Sequence, residues 1–257
     1  MNSPLDLPPV SHFNPQGKAR VLLVCEHACS YIPARFENLQ LSTDVLGSHA
    51  AVDIGALDLA KSVSRLLDAP LLSTAVSRLI YDCNRAFGAS GAIPEKSEVF
   101  EIPGNRNLSD AEVRKRYDDY YLPFETAISN CLENYDEPPL LVTIHSFTPV
   151  YYGSTREVDI GIICDQDKRL ADQMVSQASA LTDLCVKLND PYGPGDGVTH
   201  TLALHGYKND LLNTMIEVKN DLLGTVEQRQ DMALILATMI SRSAERFGYE
   251  IPLIEDN

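Results

Sequence analysis

Apolar residues in this chain gather in short, branched runs separated by longer stretches with a helical repeat. Runs at residues 20–26, 71–75, 140–149, 159–164, 184–188 and 214–218 read as strands. The first is apolar almost throughout, as a strand buried on both faces must be. Between them, residues 44–67 place Val52, Leu57, Leu59, Ala60, Val63, Leu66 and Leu67 on a helical pattern that stops before Asp68-Ala69-Pro70. Ser109 with Glu112 forms a capping box, which predicts a helix from there to residue 134 that Pro123 kinks or splits. Residues 168–181 read as a further helix. Thr225 with Gln228 caps a last one, whose apolar face is Met232, Leu234, Ile235, Met239 and Ile240.

Strands alternating with helices predict an α/β fold in which a mostly parallel, twisted sheet lies between helix layers. Residues 1–17, rich in Pro, read as an irregular arm. Residues 88–107 read as a loop long enough to line a site, and NDPYGPGDG at residues 189–197 as a second loop dense in turn formers.

Composition narrows the function. A chain of 257 residues, 44% hydrophobic and without a linker, is most simply one large domain spanning residues 1–257. Its formal charge of -15 argues against nucleic acid and anionic membrane as partners, since both require a cationic field. An anionic substrate is then caught by a local group of Arg, against the global field. The amino-terminal stretch lacks the cationic start and apolar core of a signal peptide, and no apolar run spans a bilayer. The six cysteines, Cys25, Cys29, Cys83, Cys131, Cys164 and Cys185, are scattered in mostly apolar settings, as in a reduced cytoplasmic protein. Cys25 and Cys29 flank His27, but no second Cys or Cys-His pair at finger spacing follows to complete a thiol metal site.

The candidate chemistry lies where strands end. VLLVCEHACSYIP at residues 21–33 runs an apolar strand into Glu26 and His27 and stops at Pro33; LLVTIHSFTP at residues 140–149 repeats that design with His145. Carboxyl ends of central strands are where open α/β sheets place their sites. Walker, G-x-G-x-x-G and G-x-S-x-G motifs are absent. If the two strands are neighbours, His27 and His145 meet in one cleft, with Asp53 and Glu217 available. Two His and a carboxylate are the ligands of a zinc site that keeps a position open, and a further carboxylate is then needed as general base. Plainer readings stand beside these: Asp53 as a helix cap, Arg78 and Arg85 as ordinary salt-bridge partners, Glu217 paired with Lys219. His12 and His49 read as structural, and His200 and His205 as either substrate contacts or structural residues.

Five blocks in order, VLLVCEHACSYIP, VDIGALDLA, SRLIYDCNR, IHSFTPVYYG and IEVKNDLL, resemble the motifs of the N-formylglutamate amidohydrolase family. The family is related in fold to the zinc carboxypeptidases, so the resemblance implies a three-layer α/β/α architecture with a central mixed, mostly parallel sheet. It also implies a hydrolase with one zinc ion per chain, acting on a small anionic substrate. N-formyl-L-glutamate is the foremost candidate, in the context of histidine degradation. By this resemblance His27 and His145 match the zinc histidines, Glu217 the glutamate that activates water, and Asn84 and Arg85 a pair that grips the substrate carboxylate. Arg78 matches a second cationic contact, and His205 is carried as a substrate-binding candidate. The carboxypeptidase position for the acidic ligand, three residues after the first His, is Ser30 here, so the carboxylate ligand is assigned to Asp53 with Glu26 as runner-up. Alternatives are a hydrolase of another N-acyl amino acid or γ-glutamyl-type amide, a metal-free thiol hydrolase using Cys25 or Cys29, and a non-catalytic carboxylate-binding protein.

Overall fold

A computed structural model describes residues 7–254. Its frame is a seven-stranded sheet of β1 (Val10–Phe13), β2 (Val21–Cys25), β3 (Leu71–Thr74), β4 (Leu140–Phe147), β5 (Ile160–Ile163), β6 (Val186–Leu188) and β7 (Asn213–Lys219), in the order β1-β3-β2-β4-β7-β5-β6. Strands β3, β2, β4 and β7 run parallel, so their carboxyl ends share one edge of the sheet. β1 is antiparallel to β3, and β5 is antiparallel to β7 and parallel to β6. The sheet is therefore mixed and mostly parallel, as the resemblance implies.

Helices α1 (Ala56–Leu67), α2 (Asp110–Arg116), α3 (Leu122–Glu133), α4 (Arg169–Gln177) and α5 (Val226–Glu245) complete three α/β/α layers. Alternation along β2 shows how the core divides. Val21, Leu23 and Cys25 pack with α1, α4 and α5, whereas Leu22 and Val24 pack with Phe124 and Ile128 of α3. A strand with apolar residues at both parities is stable only between two such layers, each fully buried Leu or Val contributing about 1.5–3 kcal/mol. No described helix is long and apolar enough to cross a membrane.

Ser109 and Glu112 form the expected capping box, and the helix passes through a π-helical turn at Tyr117–Tyr121 before α3 resumes with Pro123 in its first turn. Two expectations need correction. Part of the supposedly irregular arm, Val10–Phe13, is an edge strand in register with Leu71–Thr74, while residues 1–6 lie outside the described residues. An unpaired β3 edge offers backbone partners that a four-residue run flanked by Pro does not advertise by itself. The helix expected over residues 44–67 is only a turn at Thr43–Leu46 and then α1, which starts at Ala56. Gly55, at φ +81, breaks the helix and frees the connecting loop that carries Asp53.

A Cβ at Gly55 would also sit 2.8 Å from the Cβ of Leu223. Gly55→Ala is expected to cost on the order of 1–3 kcal/mol in urea unfolding and to displace the loop that carries Asp53. Unchanged stability would show that the turn accommodates a side chain.

Candidate active site

Glu26 and His27 follow β2 directly, and both are buried. The β2–β4 register pairs Val24 with Thr143, and two residues further along it sets Glu26 beside His145. On the other side of β4, His145 is the register partner of Glu217 on β7. Asp53 arrives from the loop before α1, its N–H donating to the His27 carbonyl at 3.0 Å. The Ser146 hydroxyl donates to the Ile54 carbonyl at 2.8 Å and ties the same loop to β4. Asp53 does not cap α1: its carboxylate is taken up by the two histidines and Arg78.

The result is a triangle of donor atoms. His27 Nδ1 lies 3.2 Å from Asp53 Oδ2, His145 Nδ1 lies 2.8 Å from the same oxygen, and the two Nδ1 atoms are 3.1 Å apart. Ligands held about 2.0–2.1 Å from one tetrahedral zinc ion are about 3.3–3.4 Å from each other, so the set fits zinc with only a slight expansion. The outer nitrogens also face carboxylates. His27 Nε2 is 2.8 Å from Asp82 Oδ1, and His145 Nε2 is 2.9 Å from Glu26 Oε2, a close ion-pair approach whose angles fall short of a hydrogen bond. Carboxylates behind ligating imidazoles fix the tautomer that leaves Nδ1 free for the ion. Glu26, the runner-up ligand, is thus an outer partner, and Asp53 occupies the inner position.

Electrostatics point the same way. Burial opposes charge on Asp53, but the facing His27 and His145 imidazoles outweigh it and hold the carboxyl far below its usual range. Asp82 is likewise buried, yet His27 and Arg78 keep it ionised. Burial opposes protonation of His145, and Glu26 and Asp53 reverse that to push its pKa well up. Without a metal this nest of carboxylates holds protons on the imidazoles. A dication held by His27, Asp53 and His145 would take over the same role and displace those protons. Glu217 differs: burial raises its carboxyl, the neighbouring histidines pull it down only in part, and it is pushed up to about 7.

The cleft above these groups has a volume of about 150 Å³ and is lined by Arg78, Asn84, Arg85 and Glu217 as well as the triangle. Arg78 bridges Asp53 at 3.2 Å and Asp82 at 2.8 Å. Arg85 donates from Nη1 to the Asp196 carbonyl at 2.8 Å and lies 3.8 Å from Asp82. The Asn84 amide is committed to the opposite loop, donating to the Val198 carbonyl and accepting from Thr201 N–H. His205 is buried away from the cleft lining, and burial together with His200 pushes its imidazole down to about 4. Lys219 pairs with Asp159, leaving Glu217 without that partner. His49, read as structural, lines the cleft 2.9 Å from Glu98. Asp82 is the site residue that the sequence motifs do not single out; it stands inside SRLIYDCNR between Arg78 and Arg85, and a lone acid in that basic and apolar block is the only signal it gives.

Fold and site together define an α/β protein with a buried His-Asp-His centre at the carboxyl ends of parallel strands. The chain belongs to the N-formylglutamate amidohydrolase family, whose model matches residues 19–223, and it is accordingly an amidohydrolase. Among solved structures it is similar to the gene product Atu2144 from Agrobacterium tumefaciens, 45% identical, with a TM-score of 0.91 over 93% of this chain and 96% of that one. N-formylglutamate amidohydrolase from Ralstonia eutropha JMP134 shares the fold at 18% identity, with a TM-score of 0.69 over 94% of this chain and 100% of that one. No curated protein matches the chain at a significant level.

Asp82→Asn keeps every inner donor but removes the charge behind His27. Metal affinity, read by competition with a chelator dye, is expected to fall about 10–100-fold. An unaltered affinity would mean that Asp82 serves only Arg78.

Proposed function

We propose that the chain hydrolyses the amide of an N-acylated acidic amino acid, foremost N-formyl-L-glutamate to formate and L-glutamate, with one zinc ion held by His27, Asp53 and His145. The observation that carries this reading is Glu217, a buried carboxyl pushed up to about 7 beside the triangle, with no hydrogen-bond partner for Oε2 among the described residues. Zinc in the triangle supplies a Lewis acid and a water of lowered pKa. Glu217 accepts the proton of the attacking water and passes it to the leaving amine, and its position on β7 beside His145 keeps it close to both. Arg85, 3.8 Å from Asp82 and with Nη1 on the Asp196 carbonyl, is proposed to hold the α-carboxylate of a small anionic substrate. Arg78 orients Asp53 and Asp82 and borders the same space.

The thiol alternative is disfavoured for Cys25 by burial, which pushes its thiol well up in the core with Val21 and Leu23, and for Cys29 by its place outside the cleft lining. A thiol that resists ionisation is a poor nucleophile. The cytoplasm is the proposed compartment, in keeping with six free cysteines, and participation in histidine degradation is proposed from family membership.

Glu217→Gln preserves shape and removes the base. Turnover of N-formyl-L-glutamate is expected to fall on the order of 10²–10⁴-fold while one zinc per chain is retained. Turnover near the parent rate would refute this mechanism, and loss of zinc would make Glu217 a ligand. Chelation should abolish activity and zinc should restore it, with a panel of N-acyl and γ-glutamyl amides ranking the substrates.

A further inference from the structure

The cations around the cleft are unequally opposed. Arg78 faces two carboxylates and Arg85 faces one, so their charge is largely answered within the protein. Arg156 is different. It is half-buried, and among the described residues no carboxylate lies within ion-pair reach of it. Its guanidinium sits over the rings of Tyr151 at 4.6 Å, Tyr192 at 4.7 Å and Phe147 at 5.4 Å, all three of which line the cleft. Nη1 donates to the Tyr192 hydroxyl at 2.8 Å and to the Thr148 carbonyl at 3.4 Å. Both acceptors are neutral. A half-buried cation on aromatic faces, with only neutral acceptors, has charge left to offer an anionic ligand.

Tyr192 carries this charge into the cleft. Its oxygen accepts from Arg156, which leaves its own O–H to donate. Burial pushes the phenol up to about 12, with the Glu217 carboxylate adding to the effect, so the donor stays protonated at neutral pH. The loop bearing Tyr192 is anchored independently, by Arg85 on the Asp196 carbonyl and Asn84 on the Val198 carbonyl. A neutral hydroxyl backed by a cation that lies over its own ring is suited to receive an anion.

We propose that Tyr192 and Arg156 form the subsite for the side-chain carboxylate of the acidic amino acid, Tyr192 donating to it and Arg156 supplying the charge behind. This rests on the amidohydrolase reading above, in which Arg85 takes the other carboxylate. The pair then selects an acidic side chain over its isosteric amide.

The test measures dissociation constants of L-glutamate and L-glutamine for the zinc-loaded protein, its Arg156→Gln and Arg156→Lys variants, and Tyr192→Phe. The parent is expected to prefer L-glutamate. Arg156→Gln should weaken L-glutamate several-fold with little effect on L-glutamine, since it removes the charge behind the donor and leaves the donor in place. Arg156→Lys should recover part of the loss, since it keeps the charge without the planar fork. Tyr192→Phe keeps the ring under the Arg156 guanidinium and removes the O–H that donates to the ligand and accepts from Arg156, so it reports on the subsite even if Arg156→Gln fails to fold; a loss of about 10–100-fold confined to L-glutamate, the range of a hydrogen bond to a charged group, is expected. Equal losses on both amino acids, no loss on either, or no preference in the parent would overturn the subsite. Absence of N-formyl-L-glutamate hydrolysis by the parent would overturn the amidohydrolase substrate alone, because the binding comparison does not depend on turnover.

Discussion

Two imidazole nitrogens 3.1 Å apart, sharing a carboxylate oxygen at 2.8 and 3.2 Å, need protons or a cation between them, because facing lone pairs in a buried site repel. That requirement organises the molecule's polar interior. It places Asp82 and Glu26 behind the imidazoles, where they set which nitrogen faces inward, and Arg78 between Asp53 and Asp82, where it balances their negative charge. The sheet contributes adjacency. Only because β2 and β4 are parallel neighbours do the two strand-end histidines meet, their ring centroids 4.8 Å apart.

The same register separates the roles of the carboxylates. Asp53 rides on a loop that reaches over the strand ends and is pinned by backbone and hydroxyl bonds, so its oxygen is placed as firmly as a strand residue. Glu217 projects from β7 beside His145 and meets desolvation without a bonded cation of its own. One acid is thereby held ionised and the other near neutrality within a single cleft, the separation that acid-base chemistry requires. The cleft walls divide similarly: Arg78 and Arg85 are tied to internal carboxylates, while Arg156 is held by aromatic faces and neutral oxygens.

Much of this was legible in local pattern. The α/β class, the strands ending at His27 and His145, the Ser109 and Thr225 caps, the break around Pro123 and the isolated Glu217 in an apolar strand all follow from periodicity, capping chemistry and desolvation cost, which act over a few residues. The strand at Val10–Phe13, the delayed start of α1, the outer position of Glu26, Asp82 behind His27, the engagement of Asn84 by the 198–201 backbone and the Arg156–Tyr192 pair came only from the folded chain. Each joins groups whose sequence spacing carries no periodic signal, such as His27 with Asp82 or Asn84 with Thr201. A polar residue's local sequence states that it needs a partner, but which partner it meets is set by strand order and loop closure, and these are decided by the packing of the whole sheet.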